Sequence, residues 1–461
     1  MNPLIILSIG IATIIVLIAV FRMNAFVALI TSAILVSLLA PGPLAEKISR
    51  VALAFGKTAG GIGIVIALAV IIGKCMMDSG AADRIVRAFL SLLGEKRSST
   101  ALMASGFVLS IPVFFDTVFY LLVPLAKSLH RRTGKRYLGY PLAIVAGGVI
   151  THALVPPTPG PLMMASELGI DIGVMILVGS CMGIPAAVIG LLAASWIDRH
   201  VTVSAQDADD SEKDLTPIDD ARLPGLGLSL APILLPVVLV ATHTIVDALA
   251  KAFPDVTWLT GAIEYTAVIG NVNLAMLISA AIAMGTLKFQ RLLSNHELGQ
   301  VVETSLMSGG MIVLITAAGG AFGAMLKAAE INKPIEAMLP SGSGGLVLLG
   351  LGAIIAVVMK TAQGSSTVSM MTSSSMIAGM IPAGSSLGFH PVYLATAIGG
   401  GAMIGSWMND SGFWIFVKIM GLSETEGLKT WTVMLAILGV CTVTLSFIMA
   451  RMLPNPLFWL S

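Results

Sequence analysis

Charged residues are scarce in this sequence. Asp, Glu, Lys and Arg make up 11% of its 461 residues, whereas 56% of the residues are hydrophobic. In a soluble globular domain the charged fraction is usually about a quarter. The formal net charge is only +1, and no basic segment is interleaved with aromatic residues, so nothing indicates a nucleic-acid partner. The composition excludes an ordinary soluble domain and predicts a polytopic membrane protein surrounded by lipid.

Cysteine is nearly absent as well. Cys75, Cys181 and Cys441 each lie within an apolar run and form no CxxC or Cys/His pattern. We therefore expect no disulfide framework, no metal site and no cofactor. The sequence also lacks a Walker phosphate loop, a nucleophile elbow and a HExxH helix, which argues against ATP-driven transport and against an enzyme. The first apolar run has no basic n-region and no small-residue cleavage site, so we expect a retained span.

Apolar runs long enough to cross a bilayer are abundant. They predict ten spans, near 3–21, 24–41, 58–77, 139–165, 170–197, 228–249, 266–287, 304–327, 390–414 and 430–452. Two further segments, 99–130 and 345–384, each consist of two short apolar arms around a break, at Pro112/Asp116 and at Gly364. Non-helical backbone at membrane depth must line protein or a water-filled cavity. Both segments are therefore predicted to be re-entrant hairpins that enter and leave on one side.

The two halves of the chain are related by an offset of 250 residues, which aligns Thr117-Val118 with Thr367-Val368. Between them lies a hydrophilic stretch with seven acidic residues. We predict a first repeat at 1–199, an acidic linker at 200–226 and a second repeat at 227–461. Each repeat has five spans and one hairpin, so the second repeat enters the membrane inverted. The predicted fold is therefore an all-α polytopic membrane protein with two inverted-topology repeats and broken helices, 139–165 and 390–414, at the midplane.

Basic residues in short loops predict the orientation. The densest group follows the first hairpin, and the positive-inside rule places it, together with the 200–226 linker, in the cytoplasm. The members of this group are Lys127, Arg131, Arg132, Lys135 and Arg136.

The hairpin tips and helix breaks are predicted to converge on one site. Free N–H groups at the helix starts after each break suit an anion, and we expect a carboxylate substrate. The predicted substrate-binding residues are Thr117, Thr158, Gly160, Lys360, Gln363, Gly364, Ser365, Ser366, Thr367, Asn409 and Ser411.

Three titratable residues are candidates for proton coupling, namely Asp116, Asp410 and His152. A carboxylate at mid-membrane is costly and by default functional, although either aspartate could instead cap the helix that begins beside it. His152 is a proton-relay candidate or a packing residue. Lys360 is expected to pair with a substrate carboxylate or with Asp116, or else to extend to the membrane surface.

Five motifs resemble the gluconate permease (GntP) family of the ion-transporter superfamily. They cover most of the chain in order, and lie at 111–116, 152–161, 363–367, 409–414 and 427–432. The resemblance implies proton-coupled uptake of gluconate-like sugar acids or small hydroxy acids across a bacterial inner membrane. It also implies two hairpins in a moving domain, an elevator-type motion and a homodimer.

The sequence departs from the family pattern at three positions. Thr158 and Trp407 stand where histidines are common, and Lys360 stands where arginine is usual. These changes predict a reshaped site, so that a smaller substrate such as glycerate or D-serine is an alternative to gluconate. A sodium-coupled carboxylate carrier, a membrane-embedded enzyme using His152 and Asp410, and a channel are the alternative functions.

Overall fold

The computed structural model of the chain describes residues 2–94, 97–134, 136–203, 223–252, 256–331, 344–381, 387–408 and 410–456. These residues form helices joined by short turns. In the first half the helices are α1 (Pro3–Ile15), α2 (Ala25–Leu39), α3 (Ser49–Ser79), α4 (Ala81–Leu93), α5 (Ser98–Leu109), α6 (Phe115–Thr133), α7 (Gly139–Leu154), α8 (Pro159–Leu168) and α9 (Ile172–His200).

The second half follows the linker, most of which lies outside the described residues. Its helices are α10 (Leu226–Ala252), α11 (Thr257–Ile269), α12 (Val272–Arg291), α13 (Asn295–Ala328), α14 (Gly344–Gln363), α15 (Ser366–Met380), α16 (Val392–Gly401), α17 (Ser411–Ile419), α18 (Glu424–Gly427) and α19 (Val433–Met452). The π-helical turns Val16–Val20 and Leu428–Thr432 extend α1 and precede α19.

Both predicted hairpins form. The first is α5 and α6, joined by the turn at 110–114, and the second is α14 and α15, which meet at Gly364 and Ser365. Gly364 has φ +84°, a left-handed conformation that suits glycine and reverses the chain within two residues. The hydroxyl of Ser369 donates to the carbonyl of Ala356 at 2.7 Å, which holds the two arms of the second hairpin together.

The helix contacts repeat between the halves. Between the halves, α2 packs on α13 and α12 packs on α3. Within the first half α5 packs on α7 and α7 on α9, and within the second half α14 packs on α16 and α16 on α19. The second arm of each hairpin also contacts the broken helix of the other half, α6 against α17 and α15 against α8. Residues far apart in sequence are thereby brought to the centre of the structure.

Glycine permits the close approach of each hairpin to its neighbouring helix. A Cβ atom at Gly147 would lie 2.0 Å from the carbonyl oxygen of Met103 on α5, and one at Gly401 would lie 2.4 Å from that of Ala353 on α14. Because these neighbours are backbone atoms, a side chain at either position would separate the helices.

The helix boundaries differ from the predicted spans in two places. The predicted span 266–287 begins inside α11, which ends at Ile269, and Asn271 then caps α12, because its side chain accepts from the backbone N–H of Asn273. The segment 390–414, predicted as a broken helix, is interrupted over a longer stretch than expected, because α16 ends at Gly401 after three consecutive glycines, which are poor helix formers, and α17 starts at Ser411.

Eight described helical segments are long and apolar enough to cross a membrane, whereas ten spans were predicted. The runs 3–21, 24–41 and 390–414 yield shorter helices, and the arm Gly345–Gln363 of the second hairpin is itself of spanning length. Hydrophobic run length overestimates α-helix length where the helix continues as a π-turn, as after Ile15, or where the Pro41-Gly42-Pro43 segment or a run of glycines ends it.

Candidate functional site

Both hairpin tips and both broken helices meet at a central cavity of about 150 Å³. The first hairpin contributes the start of α6, the second contributes the start of α15, and the broken helices contribute the end of α7 and the start of α17. The lining residues are Phe114, Phe115, Asp116, Val149, His152, Ala153, Ser365, Ser366, Thr367, Asp410, Ser411, Gly412, Trp431 and Leu435. The size suits a small organic molecule rather than a large ligand.

Three helices begin at the wall of this cavity, α6 after Phe114, α15 after Ser365 and α17 after Asp410. The N–H groups in the first turn of a helix have no intrahelical acceptor, and the helix dipole places partial positive charge there. Side chains already satisfy some of them, because Ser365 accepts from Val368 and Asp410 from Gly412. The wall therefore offers backbone donors and hydroxyls to an anion.

Asp410 is paired with a lysine from the second hairpin. Its Oδ2 lies 2.6 Å from Nζ of Lys360, whose side chain is completely buried, and Oδ2 also accepts from the hydroxyl of Ser406. Its Oδ1 accepts from the backbone N–H of Gly412 at 3.0 Å. Asp410 is therefore both a helix cap and one member of a buried ion pair.

Lys360 does not reach the membrane surface, and its ion-pair partner is Asp410 rather than Asp116. Its ammonium group also donates to the carbonyl of Gly364, at the hairpin tip. The complete burial of the lysine excludes the alternative that its side chain extends to the surface.

Asp116 faces the cavity from the first turn of α6. It lines the same cavity as Ser411 and Asp410, at the start of α17. Among the described residues, no basic side chain forms an ion pair with Asp116. The cavity wall thus carries one compensated carboxylate and one that lacks a cation.

His152 joins the two halves at the cavity. Its Nε2 lies 3.2 Å from the hydroxyl of Thr367, and its buried Nδ1 has no hydrogen-bond partner among the described residues. Phe114 packs beside the ring with a centroid distance of 5.7 Å.

Several predicted substrate ligands lie away from the cavity. Thr158 donates its hydroxyl to the carbonyls of Val155 and His152, at 2.7 and 3.1 Å, so it stabilises the proline turn from within. Together with Pro159 it borders a separate void of about 10 Å³. A Cβ at Gly160 would lie 2.3 Å from Cε of Met370, which shows that this glycine serves helix packing.

Four further predicted ligands are not among the cavity-lining residues, or cannot be placed. Thr117 is exposed on α6, and Gly364 is buried with its carbonyl accepting from Lys360. The buried amide of Gln363 has no hydrogen-bond partner within the part of the chain that the structure describes. Asn409 lies outside the described residues. Of the predicted ligands, Ser365, Ser366, Thr367 and Ser411 are those at the cavity wall.

Trp431 was not predicted as a site residue. The π-turn Leu428–Thr432 carries its indole into the cavity wall, where it packs against Phe115 with a centroid distance of 5.7 Å. Its Nε1 donates to the hydroxyl of Ser406 at 2.7 Å, and Ser406 in turn donates to Asp410. The sequence signal was the 427–432 motif, and π-turns often occur at functional sites.

Comparison with protein families identifies this architecture. The model for the GntP family permease matches residues 2–453. The chain belongs to the GntP permease family. This permease is 32% identical to a gluconate permease of Pseudomonas aeruginosa, with 92% of each chain covered, and 30% identical to a low-affinity gluconate transporter of Escherichia coli, with 94% of each covered. It is 33% identical to an uncharacterized permease of Haemophilus influenzae, over 94% of this chain and 88% of that protein.

The fold of the permease is also found in a solved structure. The crystal structure of the Alcanivorax borkumensis YdaH transporter matches with a TM-score of 0.61 at 13% identity, covering 95% of this chain and 99% of that one. At this identity the similarity shows a shared fold. Together with the match to the permease family, this shared fold confirms the predicted class of all-α, multi-pass transporters.

Proposed function

We propose that this permease is a proton-coupled symporter of gluconate-like sugar acids or small hydroxy acids. The observation that carries the proposal is the cavity where three helix N-termini meet beside an uncompensated carboxylate. The N-termini and the hydroxyls of Ser365, Ser366, Thr367 and Ser411 would hold the substrate carboxylate and hydroxyl groups. The names of the Pseudomonas and Escherichia relatives support the substrate class.

The charge at the site favours coupling to a proton. The Lys360–Asp410 pair is neutral as a unit, so the ionised Asp116 leaves the site with a net negative charge. A substrate anion beside it would place two like charges in a poorly solvated cavity, which is unfavourable. Protonation of Asp116 removes that repulsion, and the substrate and the proton therefore bind together.

The packing suggests which part of the permease moves. Each hairpin contacts the broken helix of the opposite half, so most of the site is built within one group of helices, α5–α8 and α14–α17. Trp431 and Leu435 complete the wall from the π-turn and α19. Movement of this group against the remaining helices, in an elevator-type motion, would carry the enclosed site across the membrane. We further propose two inverted repeats with a cytoplasmic 200–226 linker, a homodimer, and a place in the bacterial inner membrane.

Uptake into proteoliposomes tests the proposal. We expect an imposed inward proton gradient to drive accumulation of unchanged gluconate or a smaller hydroxy acid such as glycerate, with no requirement for sodium. Replacing Asp116 with Asn should abolish proton-driven accumulation while substrate exchange between the two sides persists. The matched control is Asp78→Asn, because Asp78 forms an exposed ion pair with Lys74 away from the cavity.

Three results would contradict the proposal. Accumulation driven by a sodium gradient at constant pH would show a sodium-coupled carrier, and full proton-driven accumulation by D116N would remove the assigned proton carrier. A chemically altered product would point to an enzyme that uses His152 and Asp410, and uptake without saturation or uphill accumulation would point to a channel.

A further inference from the structure

The ammonium group of Lys360 lies among oxygen atoms contributed by two separate elements. It contacts the carbonyl of Gly364, at the tip of the second hairpin, and Oδ2 of Asp410, at 2.6 Å, before α17. The hydroxyl of Ser406 shares the same Oδ2 atom. A carbonyl and a carboxylate oxygen around a buried positive charge are the ligand types that hard cations prefer.

The charges also match the helix ends that they join. Lys360 is in the last turn of α14, where a cation is favourable, and Asp410 precedes the first residue of α17, where an anion is favourable. The contact therefore connects the C-terminal end of a hairpin arm to the N-terminal end of a broken helix at the wall of the cavity. Without a cation at this point, the Asp410 carboxylate and the Gly364 carbonyl would face each other.

We propose that these oxygens form a monovalent-cation site that the ammonium group of Lys360 fills permanently. In this view the lysine is a tethered cation that locks the second hairpin tip to α17, so no exchangeable ion binds there. A sodium ion or a small alkylammonium ion should occupy the site once the tethered ammonium is removed. The inference concerns cation binding and does not depend on the transported substrate.

Two substitutions remove the ammonium group of Lys360 from the proposed site in different ways. Lys360→Met preserves most of the apolar stem but removes the ammonium, leaving space for a small metal cation. Lys360→Ala removes a three-carbon stem with its ammonium, which n-propylammonium reproduces. The control is Lys74→Met, which disrupts the exposed Lys74–Asp78 ion pair.

The thermal unfolding midpoint of each purified full-length variant is measured in sodium chloride and in N-methylglucamine chloride at equal ionic strength. We expect sodium to raise the midpoint of K360M by about 2 °C or more, as a ligand bound only to the folded state does. We expect n-propylammonium, but not N-methylglucamine, to do the same for K360A. Neither sodium nor n-propylammonium should raise the unfolding midpoint of the wild-type chain or of K74M above its value in N-methylglucamine chloride.

The proposal fails if sodium does not raise the unfolding midpoint of K360M and n-propylammonium does not raise that of K360A. It also fails if wild-type protein and K360M respond equally to sodium, because the responding site would then lie elsewhere. If both single variants fail to fold, Lys360→Met combined with Asp410→Asn, which removes both charges, provides the second test. If this double variant folds but n-propylammonium does not restore the folding of K360A, the proposal is overturned, because the chain would then fold without the ion pair and yet bind no free cation in its place.

Discussion

Replacing Asp410 with Asn should be among the most damaging single changes in the permease. The substitution leaves the ammonium of Lys360, which has no exposed surface, without its carboxylate. Removing one partner of a buried ion pair costs about 3–5 kcal/mol, because the remaining charge is buried and uncompensated. An asparagine at the cap can still accept from Gly412, so the lost cap adds little.

The exposed Lys74–Asp78 pair provides the comparison. Its side chains are 46% and 32% exposed, and exposed pairs contribute about 0.2–1 kcal/mol. Asp78→Asn should therefore cost several-fold less free energy of unfolding than Asp410→Asn. Unfolding by sodium dodecyl sulfate in mixed micelles measures both costs under the same conditions.

A double-mutant cycle isolates the ion pair from other effects. Lys360→Met combined with Asp410→Asn should cost much less than the sum of the two single changes, because neither leaves a lone charge in the double variant. A loss of less than about 1 kcal/mol in D410N, or additive effects in the cycle, would refute the argument that this contact is a buried and electrostatically coupled pair.

Two further predictions follow from the packing. Gly147→Ala should destabilise the permease by about 1–3 kcal/mol, because its new methyl group would meet the backbone of α5. A methyl group at Gly61 would have no described atom within 4 Å apart from its own helix backbone, so Gly61→Ala should be neutral or, because alanine favours a helix more than glycine does, stabilising by up to about 1 kcal/mol. Equal effects of the two substitutions in thermal unfolding would contradict this account. Trp431→Phe should raise the concentration of gluconate or glycerate needed for half-maximal thermal stabilisation, because it removes the donor to Ser406 and part of the cavity wall. An unchanged half-maximal concentration would show that the indole does not shape the site.

The positions of the hairpins and breaks were predictable because they depend on local rules. A polar, glycine-containing segment such as 363–367 between two apolar arms cannot remain in lipid as exposed backbone, and the prolines from Pro156 to Pro161 cannot continue a helix. These rules apply to a few adjacent residues, so the sequence alone determined the all-helical membrane class, both hairpin tips and the break between α7 and α8.

The partners within the site were decided by tertiary structure. Lys360 and Asp410 are 50 residues apart, and their contact depends on how α14 and α17 pack, which no local pattern specifies. Thr158 was expected to contact the substrate, but its hydroxyl donates to two backbone carbonyls of its own turn instead. Trp431 lies on a π-turn and lines the cavity formed with residues of α6, α15 and α17, which are distant in sequence. Hydropathy and helix breaking act along the chain, whereas the direction and partner of a side chain depend on helices that are distant in sequence.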